Sequence, residues 1–225
     1  SIGYGLEPTT YTGLQAAYKV SDALSLTGGV ANSTGAAGNN ILGKSGTESS
    51  KAYMAAVSFT LPDSLGFLGK STVTAGVVNH ADPGATAKLV NYYAGITLNT
   101  PVAALKVGGS FDYQTSDKGP YAEAFGLYAS YALSEKLKLN TRAEYAAGSS
   151  TAGAVFANAA KAAGGNNSKF MEVTATLDYA LWANVTTRAE VRWDSDVSGA
   201  PGNVFGTPAD EKNAVTVSLN VIYKF

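Results

Sequence analysis

Hydrophobic and polar side chains alternate with a period of two along most of this chain, the spacing that sends successive residues to opposite faces of a strand. The last three segments show it best. Over 171–181, Met171, Val173, Ala175, Leu177, Tyr179 and Leu181 share one face, opposite Glu172, Thr174, Thr176 and Asp178. Over 185–194, Val185, Thr187, Ala189, Val191 and Trp193 oppose Thr186, Arg188, Glu190, Arg192 and Asp194. Over 215–225, Val215, Val217, Leu219, Val221, Tyr223 and Phe225 oppose Thr216, Ser218, Asn220 and Lys224, and only Ile222 breaks the polar face. The same rule holds over 137–145, where Lys138, Asn140, Arg142 and Glu144 form the polar side, and over 105–113, where Lys106, Gly108, Ser110 and Asp112 do. Segment 53–61 alternates as well, and weaker versions run through 14–20, 24–31, 72–79, 92–99 and 125–133. The pattern predicts about eleven strands, many near the roughly 9–11 residues that cross a bilayer at a tilt.

Alternation alone also fits a soluble antiparallel sandwich; three further features separate the two. Short connections at 21–23, 100–102, 134–136 and around Trp182 and Ala183, with a longer one at 62–71, fall on one side. Long ones at 33–50, 147–168 and 195–212, with shorter members near 81–88 and 116–120, fall on the other. Outer-membrane barrels sort their loops this way, with short periplasmic turns and longer extracellular loops. Aromatic residues collect at both ends of the apolar faces. Tyr18, Phe59, Tyr131, Tyr179, Trp182, Tyr223 and Phe225 lie toward the short turns; Tyr53, Tyr92, Phe111, Tyr113, Tyr121, Tyr145 and Trp193 lie toward the long loops. Amphipathic rings favour the headgroup level, so these are expected to form two girdles around an apolar band. Finally, the sequence stops at Phe225 on the apolar face, resembling the C-terminal signal by which outer-membrane barrels are recognised for assembly. The expected fold is all-β, an antiparallel transmembrane β-barrel in the bacterial outer membrane, in contact with its lipid.

Composition supports that fold class and excludes others. Charged residues are 15% of the 225, below the roughly 25% usual for soluble domains. Apolar residues reach 45%, yet no run approaches the ~20 residues of a membrane helix. A net charge of −1 offers nothing to a nucleic acid. With no cysteine, disulfides and thiolate metal sites are impossible. No signal peptide stands at Ser1, so export implies a processed or partial sequence.

"TYTGLQAAYKVSDALSLTGGVANS" near the start, and "RAEVRWDSD" followed by "EKNAVTVSLNVIYKF" at the end, resemble the paired strands and closing hairpin of a β-barrel porin family of Gram-negative outer membranes. The resemblance spans the chain, and it implies architecture more strongly than solute. Strand parity then raises a question. Counting back from a periplasmic Phe225, segment 14–20 also runs toward the periplasm, whereas a closed barrel of even strand number starts there. Residues 1–9, with Gly3, Gly5 and Pro8, read poorly as a further strand. The expectation is one barrel domain over 1–225, as the C-terminal part of a larger barrel with N-terminal strands absent, unless the strand count is off by one.

The candidate functional residues are those expected to line a lumen: Lys106, Asp112, Lys138, Arg142, Glu144, Glu172, Asp178, Arg188, Glu190, Arg192 and Asp194. Charges there can set ion preference or pair with one another across strands. Their near balance of sign argues against strong selectivity. Glu123 falls on the lipid face and marks a rim or a bulge. The "AVFANAAKAA" stretch within 147–168 reads as a surface loop, with a short helix folded into the lumen as the alternative. "GFLGKS" at 66–71 lacks the first glycine of a phosphate-binding loop, since Ser64 stands in its place. His80 is the only histidine and reads, with Asp82 near it, as a loop-edge polar residue and not a metal ligand. Glycosylation-type triplets at Asn32, Asn166 and Asn184 mean little in a bacterial envelope.

Passive diffusion of small hydrophilic solutes or ions is the function this pattern favours. The alternative is a scaffold barrel enclosing another envelope component, for which small inward residues (Gly29, Ala31, Ala56, Gly76 and Gly95) would leave room. No cofactor and no catalytic residue are expected, because no serine lies in a recognisable catalytic setting beside the single imidazole.

Overall fold

The computed structural model describes residues 1–8, 11–34, 51–81, 88–117, 119, 121–149, 168–198 and 212–225. Eleven strands lie within them: β1 (Tyr11–Lys19), β2 (Leu24–Thr34), β3 (Ala52–Thr60), β4 (Thr72–Ala81), β5 (Lys88–Asn99), β6 (Leu105–Ser116), β7 (Tyr121–Ala132), β8 (Leu137–Gly148), β9 (Ser168–Trp182), β10 (Val185–Asp196) and β11 (Asn213–Tyr223). They form one antiparallel sheet in sequence order. Every segment expected from alternation is a strand, and most run further toward the long loops than the pattern indicates. Backbone pairing continues there past the apolar band, where small residues such as Ala146, Ala147 and Gly148 occupy both faces.

The register keeps the two faces distinct. On the outer face Val191 lies between Ala175 and Val217, and Leu127 between Gly109 and Ala143. Leu127 is 70% exposed and Leu219 81%, while Glu172 on the inner face is completely covered and Asp112, Glu144 and Thr174 are nearly so. This is the reverse of a soluble protein, in which large apolar side chains are covered and contiguous exposed apolar patches are small. No helix among the described residues is long and apolar enough to cross a membrane.

Two of the short turns share one geometry. In the first, the Val20 and Ser21 N–H groups donate to the Leu24 carbonyl, while Ser21 Oγ accepts from the Ala23 and Leu24 N–H groups. Leu133, Ser134, Lys136 and Leu137 repeat the arrangement. The serine takes up donors that the hairpin leaves unpaired, which is why it stands first in both turns. The β3–β4 connection holds a 3-10 helix (Asp63–Leu68), and "GFLGKS" falls in it, with Gly66 and Lys70 both at φ 62°.

Among the described residues β1 and β11 each pair on one side only, so the sheet is not closed. Both are odd-numbered strands of a meander and therefore run in the same direction. Residues 1–8 are not a strand. They form a 3-10 turn (Gly3–Gly5) that lies against the inner face, with Leu6 buried among Ala122, Ala124, Ala146 and Phe170, and Ile2 beside them. Three alanines across β7 and β8 make the recess that receives Leu6.

Candidate functional site

All eleven charged residues expected on the inner wall lie on the face that residues 1–8 cover, because the two-residue period fixes the side and the ladders show no slip between β5 and β9, nor between β9 and β10 from Thr186 onward. The register then sorts them into rows. Glu144, Glu172 and Asp194 lie directly opposite one another, and the next row toward the short turns carries Arg142, Thr174 and Arg192. Asn140, Thr176 and Glu190 follow, then Lys138, Asp178 and Arg188.

Like charges directly across a ladder repel, so pairing here runs diagonally and along strands. Arg142 reaches Glu172 diagonally (Nη2–Oε1 2.8 Å, Nε–Oε1 3.1 Å) and Glu144 on its own strand (Nε–Oε2 3.4 Å). Arg192 grips Asp194 two residues on (Nη2–Oδ1 2.6 Å) and approaches Glu172 (Nη1–Oε2 3.8 Å). Thr174 Oγ1 donates to Glu172 as well. Two arginines thus serve three carboxylates. Among the described residues only Arg188 and Asp178 form a directly opposed ion pair (Nε–Oδ1 2.6 Å), which Asn140 Nδ2 supports at 3.0 Å. Pairing across strands, one of the two roles open to these charges, is therefore present, and it runs mostly along diagonals. Glu172 faces inward but has no exposed surface, so it holds the arginines instead of meeting solute.

Residues 1–8 contribute most of what the alternation pattern does not reveal. Ile2 N–H donates to Glu144 Oε2 at 2.6 Å, and Ser1 Oγ donates to Oε1 of the same carboxylate. At the other end Asn91 Nδ2 donates to the Leu6 carbonyl at 2.7 Å, and His80 Nε2 donates to Asn91 Oδ1 at 2.9 Å. The segment therefore spans the inner wall from β5 to β8. His80, expected at a loop edge, is a covered residue on the inner face of β4; Asp82 lies outside the described residues. Alternation alone places His80 and Asn91 inward, but neither carries a charge signal that marks it. Partial burial raises the Glu7 carboxyl above its ordinary range.

Two cavities flank this segment. The larger, about 540 Å³, is bordered by Tyr4, Glu7, Lys106, Asp112, Arg142 and a set of hydroxyls that includes Thr72, Thr97, Ser130 and Thr176. The other, about 370 Å³, lies toward β1 between Glu7, Tyr11, Gln15, Asn91, Tyr93 and Asp112. Two inner tyrosines lie flat on the wall. A Cβ at Gly95 would stand 2.2 Å from the Tyr93 hydroxyl, and one at Gly126 2.3 Å from that of Tyr128. Gly95 was expected to leave open space; the Tyr93 ring fills it, and Met54 similarly covers Gly29. Among the described residues no group of three His, Asp or Glu side chains is arranged to hold a metal ion.

On the outer face Tyr18, Tyr53, Phe59, Tyr131, Tyr179, Trp193 and Tyr223 are exposed, and Tyr145 is half-buried between Phe125 and Met171; Trp182, at the β9–β10 turn, and Phe225, beyond β11, are exposed at the strand ends. Toward the long loops Tyr92, Tyr113, Phe111, Phe125 and Tyr121 form a continuous patch, with Phe111 and Phe125 centroids 4.5 Å apart. Glu123 stands opposite Tyr113 and Ala147, two residues into β7. Both ladders of β7 are in unbroken register, so it marks the rim and not a bulge. The "AVFANAAKAA" stretch lies outside the described residues.

The fold is similar to that of an anion-selective porin from Comamonas acidovorans (TM-score 0.61, 13% identity, 94% of this chain and 58% of that chain). It is also similar to a loop L8 deletion mutant of OmpT, an outer membrane protein of Vibrio cholerae (TM-score 0.56, 13% identity, 94% and 62%). A third similar structure is an outer membrane channel from Pseudomonas putida F1 (TM-score 0.50, 12% identity, 95% and 82%). The chain spans less than two thirds of the length of the first two, and at these identities the likeness is one of fold. No curated protein matches the chain in sequence. Outer-membrane neighbours and the open, two-faced sheet agree with part of a β-barrel in the bacterial outer membrane. Over residues 1–225 the chain matches, and belongs to, the family described as "Putative beta-barrel porin-2, OmpL-like".

Proposed function

We propose that this chain forms the wall of an outer-membrane channel through which small hydrophilic solutes diffuse passively. The observation that carries the proposal is the inverted distribution of side chains: an exposed apolar band outside, and charged, hydroxyl-bearing side chains around open space inside. Lipid meets the first face. On the second, the hydroxyls of Thr72, Thr97 and Ser130 exchange hydrogen bonds with a solute that sheds part of its water, so passage needs no catalytic group.

The lumen is sealed, in this proposal, by further strands between β11 and β1. Because those two edges run the same way, an all-antiparallel seam requires an odd number of them. The outward aromatic at Phe225, next to β11, is proposed as the contact for the barrel-assembly machinery. A scaffold that encloses another envelope component is the competing function; the Tyr93 and Met54 side chains occupy part of the room it would need.

Planar-bilayer recording on the purified complete barrel, this chain together with the strands that join β11 to β1, tests the channel. Steady, voltage-independent current steps are expected. A barrel that inserts and folds yet passes no current would replace the channel with the scaffold.

A further inference from the structure

Asp112, on β6, differs from the inward carboxylates of β8 to β10. It is 4% exposed, and among the described residues neither a hydrogen-bond donor nor a cationic side chain reaches it, while Glu144, Glu172, Asp178 and Asp194 each have an arginine, Glu190 accepts from Thr176 Oγ1 and Asp196 from the Ser198 N–H. A covered carboxylate without a partner is costly to keep charged. Its cost falls when a cation comes to it. Asp112 borders both cavities, and so does Glu7. Asp112 Oδ2 and Glu144 Oε1 lie 2.8 and 3.7 Å from the point where a Gly3 Cβ would sit, so residues 1–8 press directly against this acidic spot. Tyr93, directly across the ladder, adds a hydroxyl oxygen to the same cavity walls.

The nearby positive charges do not cancel it. Arg142 and Arg192 are held by their own carboxylates. Lys106 is on the same face of β6, but six residues away, about 20 Å along the strand. That exceeds the Debye length of about 8 Å at physiological salt. The oxygens present do not form a three-ligand metal cage, which favours a loosely held, partly hydrated ion.

We infer that Asp112, assisted by Glu7, is the selectivity-determining residue of the channel: a compact monovalent cation pairs with its carboxylate while passing residues 1–8, and the pore prefers cations to anions. This rests on the channel function proposed above. It differs from the near-neutral lumen that a simple count of charges implies, because the register neutralises the arginines and leaves, among the described residues, Asp112 and Glu190 without a cation, and of the two only Asp112 also lacks a hydrogen-bond donor.

The test is the reversal potential of the complete barrel, this chain with its closing strands, in planar bilayers under a tenfold KCl gradient. The parent is expected to have a K⁺/Cl⁻ permeability ratio above one. Asp112→Asn, confirmed as folded by circular dichroism and heat-modifiable gel mobility, is expected to lower the ratio about fivefold, the effect of one unit charge about 4 Å from a paired cation under water-like screening. Glu7→Gln is expected to lower it in the same direction, and Asp112→Glu to retain it. A conducting parent with a ratio at or below one overturns the inference even if Asp112→Asn does not fold. So does a folded Asp112→Asn with an unchanged ratio, which would make the carboxyl a neutral structural acid. In both cases the channel itself stands; a folded parent without current would instead remove the channel.

Discussion

Replacing Leu127 with arginine puts the assignment of the outer face to lipid at risk. Leu127 is 70% exposed because its ladder neighbours on that face are Gly109 and Ala143. Tyr121 stands six residues toward one end of β7 and Tyr131 four toward the other. At about 3.3 Å per residue and a tilt of about 40°, those ten residues span about 25 Å, the height of the apolar band of an outer-membrane barrel. Leu127 then lies about 10 Å from one girdle and 15 Å from the other, near the middle of the hydrocarbon. An arginine at that depth costs about 2–4 kcal/mol, a fall of about 30- to 700-fold in the folding equilibrium. In water the same exposed substitution would stay within about 0.5 kcal/mol. Ser218→Arg serves as the control: it lies on the inner face of β11 opposite Glu190 and is expected to cost less than about 1 kcal/mol. Urea titration in phospholipid vesicles, followed by Trp182 and Trp193 fluorescence, measures both. If Leu127→Arg is as stable as the parent, or both variants lose equally, the outer face does not meet lipid and the membrane argument fails.

Other outcomes follow from the inner wall and the turns. Arg142→Met leaves the fully covered Glu172 with only Arg192, 3.8 Å away, among the arginines, and is expected to cost about 3 kcal/mol in the same titration. Arg188→Met, at a pair whose arginine side chain is 38% exposed, is expected to cost less than about 1 kcal/mol; equal losses would refute the distinction. Gly3→Val puts a Cβ 2.8 Å from Asp112 Oδ2, so either the Asp112 carboxylate turns aside or residues 1–8 lift off the wall. Single-channel conductance is expected to rise, and unchanged conductance would show that the carboxylate alone gives way. Ser134→Ala removes the acceptor for the Lys136 and Leu137 N–H groups at a cost of about 1 kcal/mol, and a neutral result in the urea midpoint would show that solvent replaces it.

Strand number and sidedness were legible from the amino acids alone, because a period of two is a local property and lipid on one side with water on the other writes it into every segment. Thus Val191 and Arg192, or Leu177 and Asp178, declare opposite faces without any knowledge of their partners. What lies across a ladder is not local. Glu144 meeting Glu172, and Arg142 answering both, depends on the register of β8 against β9, which loop length does not disclose. That charges pair across strands is one of two readings the pattern allows; that they pair mostly along diagonals only the register decides. The inner position of residues 1–8 is less local still: Ile2 and Glu144 are 142 positions apart, Leu6 and Asn91 are 85, and nothing periodic links them. His80 likewise looked like a loop residue until β4 and β5 paired and set Asn91 beside it. Side chains choose their face through their own neighbours in the chain, whereas the isolation of Asp112 among satisfied carboxylates exists only once eleven strands have aligned.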